Sequence, residues 1–309
     1  MRIFITGATG VIGRRVVPLL VSSGFEVTAA GRDPAKCAAL ASLGVKPVLL
    51  DLFAPDAVRE AVAGHDVVVN LATHIPSSSL QILLPWAWRE NDRLRKVGAA
   101  VLADAAIAGG AKRFIQESFA PIYAGRGDEW IDEEWMVRPV RYNQTVVDAE
   151  HSAIRFGEAG GAGIVLRFAA FYGADAFQSR EMARLVRKGW AALPGSPDSF
   201  ISSISHDDAA TAVVAALSLE AGIYNVTDDD PVRRREYFNS LSECLGVAPP
   251  KFPPQWLGSL AGSLGELMSR SQRISNRKLR ASSSWAPKYP SVREGWRAIA
   301  TNLLSPAAG

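Results

Sequence analysis

Residues 2–13 constrain this 309-residue chain more than any other stretch. Ile3-Phe4-Ile5 is a short apolar run with strand character. Thr6-Gly7-Ala8-Thr9-Gly10-Val11-Ile12-Gly13 follows at once, and a helical pattern continues over 14–21. The spacing G-x-x-G-x-x-G between a buried strand and a helix is that of a dinucleotide-binding turn. Each glycine has its own task. Gly7 lets the chain turn tightly, Gly10 lets backbone approach a pyrophosphate, and Gly13 lets the helix pack close to the strand. The helix N-terminus then presents free N–H groups and a partial positive charge to phosphate.

The rest of the first half repeats the theme. Strand patterns fall at 2–6, 26–30, 47–50, 66–71, 113–116 and 163–168, with helical patterns at 13–22, 34–43, 55–62, 89–108 and 142–156 between them. Runs such as Val67-Val68-Val69 belong to a parallel sheet covered on both faces. Right-handed crossovers give an α/β doubly wound parallel sheet, a Rossmann fold, with its ligand crevice at the carboxyl ends of the strands. After residue 172 helical patterns dominate, at 176–188, 207–219, 233–245, 256–269 and 292–303. This predicts a nucleotide-binding domain over 1–172 and a smaller, mostly helical substrate lobe over 173–309. A strand at 223–226 is expected to rejoin the main sheet.

Composition narrows the function classes. The net charge of +3 is too small to argue for nucleic acid, and Arg233-Arg234-Arg235 reads as a solvated helix start. Two distant cysteines, Cys37 and Cys244, without metal spacing fit a reducing cytoplasm and no metal centre. No apolar run is long enough to span a membrane. The apolar N-terminal stretch is the turn itself, not a signal peptide.

The second strand ends Ala30-Gly31-Arg32-Asp33. A carboxylate at this position would accept from the ribose 2′-OH of NAD. A guanidinium favours a 2′-phosphate instead, by charge and by its forked donors. Arg32 therefore points to NADP(H), while Asp33 keeps NAD(H) open. Asp51-Leu52 closes the third strand, on the adenine side. Leu71-Ala72-Thr73 follows the fourth, where small residues let the chain pass beside the cofactor. The expected cofactor contacts are Thr6, Gly7, Thr9, Gly10, Val11, Ile12, Gly13, Arg32, Asp51, Leu52, Leu71, Ala72 and Thr73.

Taken with Asn91, Arg113 to Ser118, Tyr142 with Glu150 eight residues on, Leu166-Arg167-Phe168 through Tyr172-Gly173, and Ser205-His206-Asp207-Asp208-Ala209, these motifs give a resemblance across most of the chain. The chain resembles the extended or atypical short-chain dehydrogenase/reductases, the superfamily of NAD-dependent sugar epimerases and dehydratases. The resemblance implies a serine or threonine, a Y-x-x-x-K pair and a supporting asparagine. Tyr142 takes the tyrosine place, Ser118 is the nearest serine, and Asn91 is the asparagine. The lysine place holds Val146. By offset from Tyr123, Phe119 stands where epimerases carry their serine. The resemblance also implies pairing of two subunits through helices 89–108 and 142–156.

The missing lysine has a consequence. A free tyrosine has a pKa of about 10, so at pH 7 it is protonated and loses roughly three pH units of active base. It can still donate a proton to an alkoxide. The expectation is therefore NADP(H)-dependent reduction of a small, aromatic or polyketide-like ketone. Two rivals stay open: a nucleotide-sugar epimerase or dehydratase, and a non-catalytic NADP(H)-binding sensor. Further candidates for the cleft are Glu117, His74, Tyr123 and the tryptophans Trp86, Trp88, Trp130 and Trp135.

Overall fold

Seven strands carry the apolar runs of the sequence: β1 (Arg2–Thr6), β2 (Glu26–Gly31), β3 (Lys46–Leu49), β4 (Val67–Asn70), β5 (Arg113–Phe119), β6 (Ala162–Phe168) and β7 (Gly222–Val226). In a computed structural model of the chain they form one sheet in the order β3-β2-β1-β4-β5-β6-β7. Every pairing is parallel. The structure describes residues 1–76, 78–82, 84–192, 195–254, 256 and 262–303, and only the backbone of Ser79, Leu80, Tyr142 and Asn302. The strand order reverses between β1 and β4, which opens a crevice above their carboxyl ends.

Both faces of the sheet are covered, as the uninterrupted apolar strands require. On one side Val16, Val17 and Leu20 of helix Gly13–Ser22 pack with Ala209, Ala212 and Val213 of helix His206–Ala215. On the other, Val58 and Val62 meet Leu102 and Ala106, and Phe114 meets Phe156. Local chemistry sets the helix starts. Asp33 caps helix Pro34–Ala41 by accepting from the amides of Ala35 and Lys36, and Pro34 stands at its first position, where its missing N–H costs nothing.

Three departures from the sequence reading matter for the site, and a fourth expected element is seen in part. β5 runs on to Phe119 because Glu117, Ser118 and Phe119 keep pairing with Leu166, Arg167 and Phe168 of β6. The helix expected over 89–108 contains a π-helical turn, Leu94–Gly98. The helix expected to start at Tyr142 begins at Thr145, after a 3-10 turn Arg141–Asn143. Of the helix expected over 256–269, Gly262–Ser269 is seen, and 257–261 lie outside the described residues.

The chain beyond residue 173 builds a second core in which Tyr172, Tyr237, Phe238, Leu241 and Trp296 pack together. It also contributes short two-stranded ribbons that the helical patterns did not announce, Phe200–Ile201 with Val232–Arg233 and Trp130–Ile131 with Arg273–Ile274. It returns to the sheet through helix His206–Ala215 and through β7, the edge strand beside β6. Among the described residues no helix is long and apolar enough to cross a membrane.

Candidate active site

The glycine turn shows three different constraints. Gly7 has φ +70°, and a Cβ there would lie 2.3 Å from the carbonyl oxygen of Leu71. At Gly13 a Cβ would lie 2.2 Å from the carbonyl oxygen of Gly7 and 2.6 Å from Cα of Ala8, so helix and turn touch through backbone. Gly10 is different: a Cβ would meet only the carbonyl oxygen of Gly7, at 3.1 Å. It faces open space at the start of helix Gly13–Ser22, where free amides converge. That is the cradle a pyrophosphate needs, and these residues fit a dinucleotide.

Behind the turn a buried polar chain ties the strand ends. Thr6 Oγ1 donates to Asn70 Oδ1 (2.6 Å), Asn70 Nδ2 to Gln116 Oε1 (2.8 Å), and Gln116 Nε2 to the carbonyl of Glu117 (2.8 Å). The Thr6 side chain therefore braces the turn from beneath and does not face the crevice.

The end of β2 separates the two cofactor choices. A Cβ at Gly31 would press on Cys37 Sγ at 2.7 Å, so a side chain there requires the Cys37 thiol to move. Asp33 is used as the helix cap. Arg32 is 47% exposed and forms an ion pair with Glu90. Asp51 accepts from the amide of Phe53 (3.0 Å) in its own turn, and Leu52 is buried in the core.

A cavity of about 380 Å³ runs from the glycine turn into the lobe. Gly7, Gly10, Val11, Ile12, Gly13, Leu71 and Thr73 form one end. Phe119, Phe168, Phe171, Met182, Ile201 and Tyr237 are among the residues of the remaining wall, which also carries Arg95, Glu117, Gln178, His206, Arg234 and Arg270. Thr6, Thr9, Arg32, Asp51, Leu52 and Ala72 are not in this wall. Thr9 sits beside Gly31, and Arg32 lies beyond it.

The expected catalytic set is dispersed. Ser118 requires correction: successive strand residues face opposite sides, and it is Glu117 and Phe119 that face the cavity. Ser118 is fully buried, and its hydroxyl donates to Glu150 Oε1 at 2.5 Å. Glu150 in turn receives two hydrogen bonds of 2.7 Å from Arg167, whose Nη1 donates to Tyr123 Oη (2.8 Å). Tyr123 donates to Asn225 Oδ1 (2.8 Å). Tyr123 is fully buried with its hydroxyl hydrogen committed to Asn225, and burial pushes its phenol up to about 12 against the pull of Arg167, so it is locked into this network. Val146 is fully buried in helix Thr145–Glu158. Asn91 is fully buried and accepts from the amide of His74 (2.9 Å), which fixes the chain leaving β4. The Tyr142 backbone lies in the 3-10 turn, and its side chain is outside the described residues.

Some residues in the wall carried weak signals. Arg95 and Glu117 form a buried ion pair across it at 3.7 Å. Burial raises the Glu117 carboxyl and Arg95 offsets part of the rise. Arg95 lies four residues after Asn91, and that spacing was its only mark in the sequence. Of the four tryptophans only Trp88 lines the cavity; Trp86 is exposed, while Trp130 and Trp135 stack under Arg273 and Arg126. The arginine triplet is not uniformly solvated. Arg233 pairs with Asp128 and Arg235 with Asp198, but Arg234 is buried in the cavity wall. Its signal was present: Arg234, Tyr237, Phe238, Leu241 and Leu245 follow the spacing of one buried helix face.

Comparison with known proteins agrees with this geometry. Residues 7–154 match the NAD(P)H-binding family. A 3-diazoavenalumate denitrifying reductase from a Streptomyces species is 32% identical, over 96% of this chain and 99% of that protein. A 2-alkyl-3-oxoalkanoate reductase from Shewanella oneidensis is 26% identical over 89% of this chain and 73% of its own length. The structure of MoeE5 with UDP-glucose and NAD superposes with a TM-score of 0.78 at 22% identity, covering 98% of each chain, and shares the fold. The chain belongs to the same NAD(P)-binding reductase family as the Streptomyces protein, and it shares its fold with UDP-sugar epimerases.

Proposed function

We propose that the protein is an NADP(H)-dependent reductase of small, mainly apolar ketones. The observation that carries this reading is the wall of the cavity opposite the glycine turn. At the two positions where the resemblance places a hydroxyl and a cation, this chain has Phe119, which faces the cavity, and Val146, which is sealed in the core. A tyrosine left without that cation stays protonated, so it can quench an alkoxide but poorly deprotonates an alcohol. Epimerases begin by oxidising an alcohol, and this wall disfavours that step. Sugar hydroxyls would also find few partners among Phe168, Phe171 and Met182.

Gly7, Gly10 and Gly13 would hold the pyrophosphate at the helix N-terminus, and Arg32 would take a 2′-phosphate in exchange for Glu90. When bound, the cofactor supplies the hydride. Tyr142 is the proposed proton donor to the nascent alkoxide. Asn91 holds the chain after β4 in place through the His74 amide, and the aromatic wall excludes water. Glu117, whose carboxyl is raised by burial, puts a second proton-holding group beside Phe119. A second reading, in which the electrophile is a diazo group, is favoured by the near full-length similarity to the Streptomyces reductase.

The test is calorimetric titration of NADPH and NADH into wild type and Arg32→Ala, followed by NADPH oxidation with aryl ketones, 3-oxoacids and an aryl diazo compound. A charge-assisted contact, discounted for exposure and for competition with Glu90, is worth about tenfold in NADPH affinity. NADH binding should hardly change. A wild-type preference for NADH, or an Arg32→Ala protein that binds NADPH unchanged, refutes the NADP assignment. Turnover of diazo compounds but no ketone selects the second reading.

A further inference from the structure

The charged groups lining the cavity can be taken one by one. Arg95 faces Glu117 at 3.7 Å, Arg270 holds Glu266 at 3.0 Å, and His206 Nδ1 meets Asp175 at 3.1 Å. Arg234 differs from all of these. It is 3% exposed, and among the described residues no carboxylate pairs with it. Its Nη2 donates to the main-chain carbonyls of Met268 and Arg270, while Nε and Nη1 are buried without a hydrogen-bond partner among the described residues. Burial lowers the guanidinium to about 10, with Tyr237 as its electrostatic neighbour, so it still carries a full charge at neutral pH.

A buried cation with two idle donors is costly unless something completes it. No side chain among the described residues completes it, which leaves that to water or to a ligand entering the cavity. With Nη2 taken, neither edge of the guanidinium offers a fork; Nε and Nη1 each present a single charge-assisted donor, which matches an anionic oxygen such as that of a carboxylate. We propose that Arg234 is an anion subsite at the lobe end of the cavity. The substrate is then a carboxylic acid whose apolar body lies along Met182, Phe171 and Phe119 toward the glycine turn. This rests on the reductase reading for the location of the reacting end, but the carboxylate site stands on Arg234 alone.

The probes are matched pairs, 3-phenylpropanoate with 3-phenylpropanamide and octanoate with octanamide. Each is titrated into NADP⁺-loaded wild type, Arg234→Met and Arg234→Lys. Wild type should bind each acid about 10- to 100-fold tighter than its amide, the range of a buried charge-assisted hydrogen bond. Arg234→Met should abolish that preference. Arg234→Lys, which keeps the charge on a different donor geometry, should retain a reduced one, and it carries the comparison if the Met variant does not fold. Equal binding of acid and amide, no binding of either acid at millimolar concentration, or a preference that survives Arg234→Met overturns the proposal. NADP⁺ affinity is read in parallel on the same samples. Its absence, with the acid preference intact, removes the reductase reading and leaves the subsite. Intact NADP⁺ binding without acid preference removes the subsite alone.

Discussion

Two glycines three residues apart should respond to the same substitution in opposite ways. In Gly13→Ala the new Cβ would lie 2.2 Å from the Gly7 carbonyl oxygen and 2.6 and 2.8 Å from main-chain atoms of Ala8. All three neighbours are backbone, so the helix has to move off the turn. Overpacking of this kind costs about 1–3 kcal/mol. At roughly 2–4 °C per kcal/mol for a large domain, the melting temperature should fall by about 2–12 °C. In Gly10→Ala the Cβ meets one carbonyl oxygen at 3.1 Å, in a backbone conformation that alanine accepts. That mild contact is offset by about 0.4–1 kcal/mol from a less disordered unfolded chain. Stability should stay within about 1 kcal/mol of wild type. The methyl group nevertheless fills the space over the helix N-terminus, and loss of even one charge-assisted bond to phosphate weakens NADPH by at least about tenfold. Scanning calorimetry and NADPH titration on both variants decide the matter. Wild-type NADPH affinity in Gly10→Ala would refute the cradle. A stability loss in Gly10→Ala matching that of Gly13→Ala would refute the claim that Gly10 faces open space.

Two further outcomes concern the frame around the cavity. Glu150→Gln leaves Arg167 as a buried cation without its carboxylate, and breaking such a pair costs about 3–5 kcal/mol; a denaturant midpoint within error of wild type would refute the role assigned to this network. Asp175 joins Arg14 and Arg15 of the turn helix to His206 of the lobe. Burial alone would raise its carboxyl, but the hydrogen bonds from His206 and Arg15 outweigh burial and hold it well below the usual carboxylate range. A carboxylate with a lowered folded value stabilises the fold above its unfolded value of about 4, and that contribution is lost as pH falls through the folded value. Asp175→Asn should therefore cost about 1–2 kcal/mol at pH 7, and the gap to wild type should close below about pH 4. A gap independent of pH would contradict this assignment.

The fold was legible in the sequence because its signals are local. A glycine turn between a strand and a helix, apolar runs four to seven residues long and capping residues at helix starts are satisfied by near neighbours. The Rossmann sheet and the turn geometry of Gly7, Gly10 and Gly13 follow from reading the chain in order. The direction in which a side chain points was not legible, because one residue of register in a strand reverses it. Ser118 looked like the catalytic hydroxyl, yet the continued pairing of β5 with β6 turns it into the Glu150 network and presents Glu117 and Phe119 instead. Likewise Arg234 sits between two exposed arginines and reads as solvated. Only its position on the buried face of helix Arg234–Leu245, with carbonyls of a segment 34 and 36 residues away closing on one nitrogen, makes it an unsatisfied cation in a cavity wall. Sequence alone determined the cofactor-binding turn and the sheet, which depend on neighbours along the chain. Tertiary structure decided which charges are paired, because pairing depends on groups that only folding brings together.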